Sequence, residues 1–532
     1  MDTHSRHHLF YLLTLTLLLF FTGLGERDLW APVEPRYAEI ARIMFVKGEW
    51  IVPTVNGELY TDKPILYFWL VLIASKLAGG VNEWTVRLPA ALAGIGFVLA
   101  TYFTGRAFFS PRVGLIAATV LATSLRVTWE ARWAHIDMVF GFFFVLTIYF
   151  GVRSLLGQGG KHEILLAYVF MGLAVLAKGL IGIVLPALLL VAFALVRRDW
   201  SMIVATKLPL GIPIFLLIVA PWFYLVNNAT EGKWLADFIY VHHIQRYVDG
   251  DGHRQPFYYY LTTLPVDFLP WTVFAILAAF AYFPYRQLKR PVPQLFVLWF
   301  VVVFLFFSIS DTKRDLYLLP LLPSMALLVG NYIDDLAEGR LAESPLYQWM
   351  GQLFFGAVIV IGLALPFGAW IVRKETFWIS LPVAVVLTIG GILTMVFIGK
   401  RRPLKVVTAV TLLMTLATVC LSIGILPYVD QFKSRRLFSL EVQRIVPATA
   451  PLYIYNDDMH DFNFYTEREI IAVLSSRSEV AEVSRARGNR YILVKDPDLK
   501  TLNMFGPEQV IVTRSVGSTT WNLVASRADG AK

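Results

Sequence analysis

The chain has 532 residues, of which 57% are hydrophobic and 16% charged, and its mean hydropathy is +0.61. No soluble globular core needs that much apolar sequence, so the composition reads as a polytopic α-helical membrane protein. The net charge of +9 then sets orientation through short loops instead of marking a nucleic-acid partner, and the single cysteine, Cys420, excludes a disulfide framework and a thiolate metal site.

The first apolar run covers 9–24, preceded by Arg6 and a His pair. GLGERDLW follows with no small-residue cleavage site, so an uncleaved first helix with a cytoplasmic N-terminus is expected. Residues 34–48 predict a short amphipathic helix. Tyr37, Ile40, Ala41, Met44 and Phe45 fall on one face, Pro35 suits the first turn and Gly48 the stop. Such a helix lies on a membrane surface and does not cross it.

The run at 65–77 contains Lys76 and is too short to span, since a bilayer helix needs about 20 apolar residues. Reading it as interfacial fixes the parity of everything after it. Spans are expected at 85–108, 112–125, 137–156, 162–177, 180–196, 206–226, 266–284, 292–309, 316–332, 349–371, 378–398 and 404–424; with the first helix these make about thirteen. The basic clusters at Arg106 and Arg112, Arg197 and Arg198, and 400–405 then all fall inside. The opposite face holds the 28–64 loop, the 126–136 turn, Lys178, the 227–265 loop, the 311–315 turn and everything after about 425.

From residue 426 short β-rich runs appear at 452–455, 470–474, 491–494, 510–513 and 521–524, with helix-like sequence between some of them. They predict a small α/β domain over 426–532, periplasmic by parity, after a membrane domain over 1–425.

Charge is dense in LWAPVEPRYAEIARIMFVKGEWIVPTVNGELYTDKP, residues 29–64. Beside a membrane this invites a functional reading. Asp137 opens an apolar helix in RWAHIDMVF. It is a helix cap on the bland view, and on the sharper one a carboxylate at the membrane surface with Glu34 as partner. A carboxylate pair of that kind suits glycosyl transfer, whose oxocarbenium-like transition state rewards nearby negative charge. Lys63, with Arg36 and Tyr60, either snorkels to lipid headgroups or grips the phosphate of one lipid-linked donor. Lys178 reads as helix-end snorkelling. The histidines in HHIQRYVDGDGHRQPFYYY, with Asp62, can be read as a zinc- or manganese-type site, although the spacing matches no standard signature; Arg246 and Arg254 can equally bind phosphate. No Walker loop, HExxH or GxSxG occurs.

These blocks, with KRDLYLLPLLP, resemble the bacterial lipid-to-lipid glycosyltransferases typified by lipid A aminoarabinose transferase, within the protein-mannosyltransferase-like superfamily of GT-C fold. The resemblance spans about 8–425. It implies an inner-membrane glycosyltransferase taking a sugar from undecaprenyl phosphate to a lipid acceptor such as lipid A or another envelope glycolipid, with no nucleotide. A protein O-mannosyltransferase-like enzyme and a lipid-linked sugar transporter or flippase are the alternatives. By the same resemblance Asp137 is catalytic with Glu34. Lys63, Arg36, Tyr37, Tyr60 and Tyr317 meet the donor-lipid phosphate, joined on its own chemistry by Arg246, and Asp62 with His243 can hold a zinc ion. The family's first loop usually reads Asp-Glu-x-Arg-Tyr-Ala-Glu, whereas Val33 stands here in the aspartate position. Glu34 or Asp28 would then take over, the carboxylate would be dispensable, or activity would be altered. An acceptor that is already a phosphate anion needs little base help.

Overall fold

The computed structural model describes residues 3–160, 162–241, 254–282, 291–341, 344–486, 488–506 and 509–526. The chain divides into two compact units. The first comprises 1–24, 61–67 and 87–425, and the second 25–60, 68–86 and 426–532.

The described residues of the first unit are mainly helical. Among the described residues each span expected from hydropathy meets a helix, the 266–284 span only in part as Thr272–Tyr282, but fewer of these helices are long and apolar enough to cross a membrane. Seven qualify among the described residues, or eight if one bent pair counts as a single span. Pro111–Ala122 has 12 residues, a rise of about 18 Å, well short of the roughly 30 Å hydrocarbon core. The bent pair is Tyr259–Asp267 and Thr272–Tyr282, turned by 113° around Pro270, which cannot continue a helix.

Packing in this unit depends on small residues. A Cβ on Gly114 would lie 2.5 Å from the Tyr102 carbonyl oxygen, and one on Gly105 would lie 2.6 Å from Gly114 Cα. Glu83–Phe108 and Pro111–Ala122 therefore meet backbone to backbone there. Arg132 donates to the carbonyls of Leu19 and Thr22 at 2.8 and 2.7 Å, and so satisfies the open end of the helix Thr3–Phe21.

The second unit joins the first loop to an α/β domain. The helix Val33–Lys47 ends on Gly48 at φ 66°, as the sequence leads one to expect. Asn56 and Gly57, at φ 53° and 85°, turn the hairpin of Thr54–Val55 and Glu58–Leu59; Asn-Gly is the pair this turn favours. Leu66–Ala78, whose residues from 68 on belong to this unit, follows as a 13-residue helix over the 65–77 run. The C-terminal sheet has five strands. Leu452–Tyr455 pairs in parallel with Ala472–Leu474 and Arg490–Lys495, and Thr519–Ser526 runs antiparallel between Arg490–Lys495 and Val510–Val516. One face packs Phe438, Val442, Phe462 and Trp521, and the other Val480 and Leu502. The sheet is thus covered by helices on both sides.

Candidate active site

In the first unit four of the expected side chains stand among shared charges. Asp137 lies in the first turn of Ile136–Leu155, where a carboxylate meets the positive end of the helix dipole. Lys178 ends Glu163–Lys178, at the pole that favours a cation. The two side chains form an ion pair, only 13% and 9% exposed. The Lys178 ammonium also sits 4.8 Å from the Tyr317 ring centroid and 5.2 Å from that of Phe140. Lys178 is therefore part of a polar cluster and is not snorkelling to a headgroup.

Tyr317 belongs to the tight turn Asp315–Leu321. The charges of Lys63, Arg314, Asp137 and Asp62 all act on its phenol. Its backbone is anchored from several sides. Arg126 binds Asp315 and also Asp267 and Glu130, and the Tyr260 hydroxyl donates to the Arg314 carbonyl at 3.1 Å. Lys313, 4% exposed, donates to the carbonyls of Gln255 and Ser310. Glu130 in turn holds His135, two residues before Asp137. The sequence reading passed over this Arg126–Glu130–Asp267–Asp315 network, because its members lie up to 189 residues apart and each looks like an ordinary loop charge.

Lys63 bonds only to its neighbour Asp62 among the described residues, at 3.1 Å to both the backbone carbonyl and Oδ1. A bond to the adjacent residue commits an ammonium weakly, so Lys63 is the cation here that an incoming anion can recruit. His243 and Arg246 lie outside the described residues. Among the described residues no group of three or more His, Cys, Asp or Glu converges as a metal site, and Asp62 has Lys63 as its ion-pair partner.

The second unit holds Glu34, Arg36, Tyr37 and Tyr60. Glu34 is fully buried. Arg27 grips both its oxygens at 2.8 and 3.0 Å, and it accepts from the Trp30 amide at 3.1 Å. These bonds tie Glu34 to the loop through Arg27 and Trp30. Asp28, the other candidate to replace the aspartate missing at Val33, pairs with Arg436 at 2.9 Å. Tyr37 and Tyr60 pack edge to face with each other and with Phe68, at centroid distances of 5.7 to 6.4 Å, an arrangement that fixes both rings.

Residues 62–225 match the model of the dolichyl-phosphate-mannose-protein mannosyltransferase family. The undecaprenyl phosphate-alpha-4-amino-4-deoxy-L-arabinose arabinosyl transferase of Shewanella sediminis is 27% identical over 87% of this chain and 85% of its own length. The protein of the same name from Pectobacterium carotovorum is 32% identical over 66% and 64%. The crystal structure of ArnT from Cupriavidus metallidurans bound to undecaprenyl phosphate has the same fold, with a TM-score of 0.77 at 21% identity, covering 98% of this chain and 99% of that one. With the fold and the polar cluster, these likenesses support an ArnT-like GT-C glycosyltransferase: the chain is similar in sequence to the arabinosyl transferases and, over 62–225, to the protein mannosyltransferases, and it shares the fold of ArnT.

Proposed function

We propose that this protein moves a sugar from undecaprenyl phosphate to a lipid acceptor, lipid A or a related envelope glycolipid, at the outer face of the bacterial inner membrane. The observation that carries the reading is the weakly committed Lys63 beside Asp62, sharing one electrostatic neighbourhood with Tyr317 and the Asp137–Lys178 pair. In the reaction the bond between the anomeric carbon and the phosphate oxygen breaks, and the lipid phosphate leaves with the electron pair. Lys63 neutralises that growing charge, while Asp137 stabilises the positive charge at the anomeric carbon. Lys178 holds Asp137 in place through their ion pair. A phosphate acceptor attacks as an anion already, so the loss of a first-loop aspartate at Val33 is tolerated.

In the second unit Arg36, Tyr37 and Tyr60 serve the lipid phosphate, and Glu34 serves the fold. A divalent ion such as zinc would call on Asp62 with His243; no step here requires it. The basic clusters support a cytoplasmic N-terminus and a periplasmic 426–532 domain.

The test is a transfer assay on purified protein with radiolabelled undecaprenyl-phosphate sugars and lipid A or envelope extract. Wild type should label a lipid acceptor. Lys63→Ala and Asp137→Asn should each lose about 10²–10³-fold in turnover. No transfer from any donor, despite retained binding of the donor lipid, would sink the enzyme reading and favour a transporter.

A further inference from the structure

Arg36, on the helix Val33–Lys47, has its Nε buried without a hydrogen-bond partner among the described residues. That helix packs against His460–Thr466, an element of the C-terminal domain in the same unit. His460 opens the second helix, and its Nδ1 is also buried and unpartnered. The charges of Arg36, Asp457 and Asp458 all act on the imidazole. Asp457 binds Lys495 through Oδ2 at 2.6 Å, and its Oδ1 is the third buried oxygen or nitrogen here with no partner.

A buried polar atom left unmade costs about 1–3 kcal/mol, and packed proteins keep few of them. Three in one neighbourhood, on a guanidinium, an imidazole and a carboxylate, describe a surface prepared for a ligand with mixed polarity. A bare phosphate would suit Arg36 but brings no donor for the Asp457 Oδ1 that Lys495 leaves unbonded. A simple cation would suit Asp457 and be repelled by Arg36. A sugar carrying a phosphate satisfies all three, because its phosphate accepts from Arg36 while its hydroxyls donate to Asp457 Oδ1 and to His460 Nδ1. Burial, and then Arg36, push the His460 pKa down to about 4, so the neutral ring keeps a nitrogen free to accept.

We propose that Arg36, His460 and Asp457 form a subsite for a phosphorylated sugar headgroup, which makes the C-terminal α/β domain part of substrate recognition. The inference rests on the transferase reading above. The headgroup can come from the donor, as a glycosyl phosphate, or from a phosphorylated glycolipid acceptor.

The experiment measures affinity of the full chain for three lipids: undecaprenyl phosphate, its glycosylated form, and a phosphorylated glucosamine disaccharide lipid. His460→Phe should weaken at least one of the two sugar-bearing lipids about tenfold, the value of one hydrogen bond to a polar ligand. Bare undecaprenyl phosphate should stay within about twofold, and the lipid that weakens identifies the source. His460→Asn, which restores an acceptor near the Nδ1 position, should recover most of the loss. Should His460→Phe fail to fold, Asp457→Asn carries the same comparison. Equal affinities throughout, equal loss for all three lipids, or no recovery with asparagine would overturn the proposal. Binding is read without turnover, so an absence of sugar transfer by wild type would remove the transferase reading without deciding this one.

Discussion

Glu34 and Asp137 are both acidic residues near the start of a helix, yet their surroundings separate them. Glu34 has no exposure, and its oxygens are taken by Arg27 and the Trp30 amide. Glu34→Gln would leave Arg27 buried without its charge partner, a loss of about 3–5 kcal/mol. The expected result is a lower unfolding temperature with turnover per folded molecule unchanged, and the double change Arg27→Met with Glu34→Gln should recover much of the stability. Turnover lost at full stability would return Glu34 to the reaction. Asp137 is held by Lys178 instead, so Lys178→Met should cut sugar transfer about a hundredfold while donor-lipid affinity changes little. His460 gives a pH signature at this same scale. Its folded pKa, about 4, lies below the ordinary 6.5, so the unfolded chain binds more protons between those values. Its contribution to stability is then full above about pH 6.5 and is lost as pH falls toward 4. The difference in unfolding midpoint between wild type and His460→Asn should change across that window and be flat above it.

At the scale of elements, the contact between Glu83–Phe108 and Pro111–Ala122 depends on two glycines facing each other's backbone. Gly114→Ala would push a methyl group to within 2.5 Å of the Tyr102 carbonyl oxygen, which no side-chain rotation relieves. It should cost about 1–3 kcal/mol, read as a lower unfolding temperature in detergent. Gly356→Ala is the control, since nothing lies within 4 Å of its added Cβ and alanine is the better helix former. The hydropathy runs disclosed these helices, because an apolar stretch has few other ways to satisfy its backbone in a bilayer. The helix at Val33–Lys47 was legible from its apolar periodicity, although its burial under the C-terminal domain was not, and the C-terminal strands were legible from their short β-rich runs. The candidate site was legible where charge crowds a short stretch, as at Asp62 and Lys63. It was not legible at Lys178, where a lone lysine at a helix end looks the same whether it meets a headgroup or Asp137, 41 residues away. Nor was His460 legible, since its significance comes from Arg36, which precedes it by more than four hundred residues.

For the molecule as a whole, the first loop and the C-terminal domain pack together within the second unit. Asn56 donates to the Ile471 carbonyl at 3.1 Å and accepts from the Ile471 amide at 2.7 Å. The Tyr465 hydroxyl accepts from the Leu29 amide at 2.9 Å, and the Trp30 indole donates to Asp430 at 2.6 Å. Val33–Lys47 meanwhile has nine buried residues, Glu39 and Ile40 among them, which a solitary 15-residue amphipathic helix would leave wet. Ending the chain after residue 433 therefore removes the Ile471 and Tyr465 partners and the cover of the helix together. The truncated protein should be cut by trypsin at Arg42 and Lys47 far faster than the full chain, and Asn56→Ala should give a milder form of the same sensitivity. Equal resistance in the truncated chain would mean that the loop keeps its shape unaided. The C-terminal domain could then bear on catalysis only by touching substrate, which is the part the subsite at His460 assigns to it.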